Sequence, residues 1–93
     1  MLVKNVEKKI GDVEGFDVVI RHPGGADVKG NRSDMPTYPY ERMAKGSMTV
    51  SGWKEQRFGP RYPGFDVDVL DGNGSPVVGN TQLSTVRDAY LEE

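Results

Sequence analysis

Between Tyr38 and Tyr62 the chain interleaves cations with rings. Arg42, Lys45, Lys54, Arg57 and Arg61 alternate with Tyr38, Tyr40, Trp53, Phe58 and Tyr62, and the only acids in the stretch are Glu41 and Glu55. Guanidinium groups form bidentate, charge-assisted bonds to carboxylates and phosphates, while flat rings stack on bases or fill the centre of a protein interface. The chemistry on offer is binding. Met35, Met43 and Met48 fall in or beside the same stretch, and methionine is among the types that protein interfaces enrich. The candidate binding residues are therefore Tyr38, Tyr40, Arg42, Lys45, Trp53, Arg57, Arg61 and Tyr62. Trp53 and Phe58 also suit a core-covering role. Pro36-Thr37-Tyr38-Pro39 has the spacing of a polyproline II ligand, but Glu41 follows where a basic anchor belongs, so a loop pinned by Tyr38 and Tyr40 is the better reading.

The inventory for catalysis is thin. His22 is the only histidine, it sits in a turn beside Pro23, and no cysteine exists to act with it as a nucleophile. Asp66, Asp68, Asp71 and Asn73 superficially evoke a calcium loop, yet the fixed glycine, the distal glutamate and the flanking helices of such a loop are missing. Solubilising charge on a strand and its turn accounts for them better. Gly72, Gly74 and Gly79 lack the lysine or the spacing of a phosphate-cradling loop. Asp17 and Asp66 would form a carboxylate pair only if the fold brought them together. No metal or cofactor is expected.

The elements that must position these residues are announced by an internal repeat, read as a duplicated unit. Residues 15–31 and 64–80 match without a gap at eight positions: Gly15/Gly64, Phe16/Phe65, Asp17/Asp66, Val18/Val67, Gly25/Gly74, Val28/Val77, Gly30/Gly79 and Asn31/Asn80. Each copy reads as a β-hairpin. Phe16, Val18 and Ile20 alternate with polar or smaller residues, as do Phe65, Val67 and Val69, and glycine-rich turns follow at 22–25 and 71–74. Return strands are expected from Ala26 to Gly30 and from Ser75 to Gly79, with Pro76 confined to an exposed edge. A helix capped by Thr49 follows the first hairpin as far as Phe58. Another, with Leu83, Val86, Tyr90 and Leu91 on one face and Thr81 or Ser84 as its cap, follows the second. Leu2, Val6 and Ile10 fit one face of either a helix or a strand; a strand ended by Gly11-Asp12 is preferred. The predicted fold is thus α+β, ordered ββα-ββα, with an antiparallel sheet of four or five strands under two helices and a long insertion at 32–48.

Ninety-three residues without a break in composition read as a single domain, 1–93, with a small core. A net charge of -2 argues against a generic polyanion binder, although bases dominate from 38 to 62 and acids from Phe65 onward. With no cysteine, disulfides and thiolate metal sites are excluded, which fits a reducing, cytoplasmic setting. Lys4, Glu7, Lys8 and Lys9 leave no apolar signal segment in the first ten residues, and no stretch is long and apolar enough to span a bilayer. The expected function is that of a small non-enzymatic interaction or regulatory protein acting on a protein partner through its surface. The alternative is nucleic-acid binding by the basic and aromatic segment 38–62. An enzyme ranks third.

Overall fold

Val3, Val6 and Ile10 recur at helical spacing, and in the computed structural model of the protein they line the buried face of a helix, α1 (Val3–Glu14). The structure describes residues 1–26 and 28–91; Asp27, within the first expected return strand, and Glu92 and Glu93 lie outside the described residues. The strand preferred for residues 2–10 is overturned. Leu2, one of the three residues that made a strand plausible, precedes the helix as its N-cap. Gly11 does not break the helix, which runs on until Gly15 enters the left-handed region at φ 81° and donates its amide to the Gly11 carbonyl.

A two-stranded antiparallel sheet follows, formed by β1 (Val18–Arg21) and β2 (Asp66–Val69). Val18 faces Val69 and Ile20 faces Val67, and all four are buried. Between the strands lie a long irregular segment and α2 (Val50–Trp53), which continues as a π-helical turn over Lys54–Phe58. Thr49 caps α2, its hydroxyl accepting the Gly52 amide at 3.1 Å. The wider turn, closed by Gly59 N–H to Lys54 C=O, lets Phe58 share the buried side of Trp53, with ring centroids 6.1 Å apart. A final helix, α3 (Leu83–Ala89), adds Leu83 and Val86 to the core. Its N-cap is Gln82, not Thr81 or Ser84, and Leu91 is exposed beyond its end.

The sheet of four or five strands and the ββα-ββα order are therefore incorrect: there are three helices and two strands among the described residues. The reason lies in what the expected return strands do with their backbone. Beyond the bond that closes its turn, each makes one further ladder-like bond, Val28 N–H to Ile20 C=O at 3.4 Å and Val77 N–H to Val69 C=O at 2.8 Å. Each then turns away. The carbonyls of Gly30 and Arg32 accept the amides of Lys4 and Val3, while those of Gly79 and Thr81 accept the amides of Ser51 and Val50. The first amides of a helix have no partner within it, so these carbonyls satisfy α1 and α2 instead of extending a sheet. Pro76, lacking an N–H, makes only an isolated bridge to Leu70. In space the two similar segments keep the same backbone bonds, with His22 and Asp71 donating to Ala26 and Ser75 and Val28 and Val77 donating to Ile20 and Val69, but neither return segment continues as a strand. Phe16 is buried against Trp53 in an edge-on contact at 5.3 Å, whereas Phe65 is only half-buried. With a radius of gyration of 12.3 Å, the chain has the compactness of one small domain.

Candidate functional site

The fold's only buried charge on a described residue is Glu14, at the C-terminal end of the apolar stripe of α1. A carboxylate there must be fully hydrogen-bonded, and it is. One oxygen accepts the Tyr38 hydroxyl at 2.5 Å and Arg57 Nη1 at 2.7 Å; the other accepts the Ala44 amide at 2.8 Å and Arg87 Nη2 at 3.2 Å. Each arginine also binds backbone. Arg57 reaches the Arg42 carbonyl at 2.7 Å, and Arg87 reaches the carbonyls of Glu14 and Ala44 at 2.6 and 2.8 Å. Trp53 Nε1 donates to the Tyr38 hydroxyl at 3.1 Å. One carboxylate thus gathers α1, the insertion, the π-helical turn and α3.

The electrostatics follow from burial and this shared carboxylate. Burial, then the bond donated to Glu14 and its negative charge, hold the Tyr38 hydroxyl above the ordinary tyrosine range. For Arg57 burial opposes ionisation, but the Glu14 bond and charge outweigh it and raise the guanidinium's pKa. Arg87 moves down: burial dominates, and repulsion from Arg57 offsets part of the attraction to Glu14. Tyr62 is pushed up to about 12 by burial, against the nearby charge of Arg61.

The candidate residues divide into two groups. Tyr38, Trp53 and Tyr62 lie in the core, and Arg57 is spent on Glu14. Tyr40 is half-buried at the surface, with the guanidinium of Arg57 at 4.3 Å and that of Arg61 at 5.9 Å from its ring centroid. Arg42, Lys45 and Arg61 are exposed and make no ion pair among the described residues. Met35 is buried, Met48 half-buried, and Met43 is 56% exposed. The insertion rim thus presents a ring, cations and an apolar side chain on a backbone that Glu14 holds through Tyr38, Ala44 and Arg57.

Glu14 and Arg87 carry this arrangement, and the sequence reading passed over both. A helical reading of residues 3–14 would have found Glu14, because it extends the stripe of Val3, Val6 and Ile10. Elsewhere His22 leans on Phe65 at 6.0 Å, and no group of three acidic or histidine side chains converges among the described residues. No helix there is long and apolar enough to cross a membrane. Comparison with protein families, with curated proteins and with solved structures finds no significant match to this chain.

Proposed function

We propose that this chain is a small non-enzymatic interaction or regulatory domain that binds a protein partner through the insertion rim formed by Tyr40, Arg42, Met43, Lys45 and Arg61. The observation that carries the reading is the state of Tyr40: a ring held against two guanidinium groups, beside exposed cations with no carboxylate partner and an exposed methionine. Tyrosine, arginine and methionine are the types that interfaces enrich. The Glu14 cluster fixes the backbone beneath them, so little conformational entropy is lost on binding. An acidic partner surface matches the charge. Nucleic-acid binding by segment 38–62 is supported less, because Tyr38, Trp53 and Tyr62 are in the core and leave Tyr40 as the one candidate tyrosine to stack a base.

The test reverses Arg42 and Arg61 to Glu, leaving Arg57 in place because its loss would strip Glu14 of an ion pair. The double variant is expected to capture no protein from a native lysate that the wild type captures, with its melting temperature within a few degrees, as for surface changes of about 0.5 kcal/mol each. Capture that persists through both reversals overturns the proposal. So does captured material that nuclease releases and that dissociates steeply with salt.

A further inference from the structure

Next to the rim, segments 32–36 and 61–65 enclose a cleft of about 410 Å³. Arg32 and Arg61 both line it, and Met35, Pro36, Pro63 and Phe65 supply apolar wall. The Arg32 guanidinium lies 5.0 Å from the centroid of the Phe65 ring, and that of Arg61 is within reach of Tyr40. Each cation is thus held by a ring that takes up none of its N–H donors in an ion pair. Neither has a carboxylate partner among the described residues. Asp34, with its backbone at φ 68°, is the one acid lining the cleft. Arg32 also lines a second cleft of about 300 Å³ with His22, Val28, Lys29 and Asn31, so an extended ligand leaving the first cleft meets further donors.

We propose that this cleft seats an extended acidic segment of a partner protein, with carboxylates on Arg32 and Arg61 and an intervening apolar side chain against Phe65, Met35 and the prolines. The inference rests on the protein-partner reading above and names the chemistry of the partner. Charge complementarity favours a peptide over a nucleic-acid strand. Two arginines beside Asp34, on a chain of net charge -2, suit two carboxylates set apart by an apolar residue better than a continuous phosphate backbone. Arg61, shared between cleft and rim, makes the two surfaces continuous.

The probe is a terminally capped peptide with a Glu-Leu-Glu core, titrated into the isotopically labelled chain and followed by backbone amide NMR. Saturable shifts are expected at Ser33 to Met35 and at Arg61 to Phe65. Affinity should fall by about tenfold, a loss of about 1.4 kcal/mol, when Arg32 and Arg61 are both changed to Ala. The same peptide with Gln for Glu should bind at least as weakly. Absence of shifts, equal binding by the Gln peptide, or unchanged binding to the double Ala variant each overturn the inference. Displacement of the peptide by a short oligothymidylate at lower concentration would also overturn it, in favour of a nucleic-acid strand. The wider reading is judged separately, by partner capture with Arg42→Glu and Lys45→Glu, which leave the cleft arginines in place. Capture lost there while the peptide fails to bind sinks the cleft and keeps the rim.

Discussion

Glu14 is the residue on which the most contacts converge, and its removal should be correspondingly costly. Glu14→Ala leaves Arg57 and Arg87 facing each other without their shared carboxylate, and breaking a buried pair in this way costs about 3 to 5 kcal/mol. Equilibrium urea unfolding should show that loss; a change under about 1 kcal/mol would mean that the arginines and Tyr38 find other partners. Tyr62 behaves oppositely. Its buried hydroxyl has no hydrogen-bond partner among the described residues, so Tyr62→Phe should be neutral or stabilise the fold by about 1 kcal/mol in the same measurement. The tyrosines also set an alkaline limit. Tyr38, Tyr62 and Tyr90 are all raised in the folded chain, chiefly by burial. Groups with raised folded values contribute stability that is complete below the unfolded value of about 10 and is lost as pH rises through the folded values. Thermal midpoints should therefore fall above about pH 10, and less steeply for Tyr62→Phe, which removes a hydroxyl pushed up to about 12 in the folded chain. A midpoint indifferent to alkali would contradict these shifts. At this scale the sequence shows residue types but not their fate: Tyr38 and Tyr40 are two apart, yet one is buried on Glu14 and the other presented at the surface.

Helices were more legible than strands. The expected span from the Thr49 cap to Phe58 located α2 and its π-helical continuation, and Leu83 with Val86 located α3, because caps and helical spacing are local signals. The N-terminal helix was not, since Leu2, Val6 and Ile10 satisfy both periodicities and a glycine in the middle resembles a stop. The return strands failed for a different reason. Their carbonyls are used by helix N-termini 26 to 31 positions away in the chain, and alternation within the segment cannot reveal such a competitor. The insertion is held just as closely. A Cβ added at Gly46 would lie 2.9 Å from Ser84 Cβ, where α3 begins and Ser84 N–H binds the Gly46 carbonyl. Gly46→Ala should therefore force these segments apart and destabilise by about 1 to 3 kcal/mol, the usual range for overpacking, as denaturant titration would show. An unchanged midpoint would show that the contact can relax freely.

For the molecule as a whole, closure depends on contacts far apart in sequence. Arg87 binds Glu14 across 73 residues, and the Tyr90 hydroxyl joins the Asp17 amide to the Leu70 carbonyl at the end of the sheet. Such contacts leave no mark in local periodicity, which is why composition and patterning reached an α+β domain but not its topology. They also make the surface conditional on the fold: the rim exists only because four separate elements meet at one carboxylate. The central claim is that a partner sits on that rim. Amide hydrogen exchange of the chain, alone and with its captured partner, tests it most directly, because protection is read residue by residue and needs no substitution. The predicted result is added protection confined to about residues 40–45 and the neighbouring 61–65, with the sheet and α1 unchanged. Protection that appears instead around Asp66, Asp68 and Asp71, or nowhere on the insertion, would contradict the account.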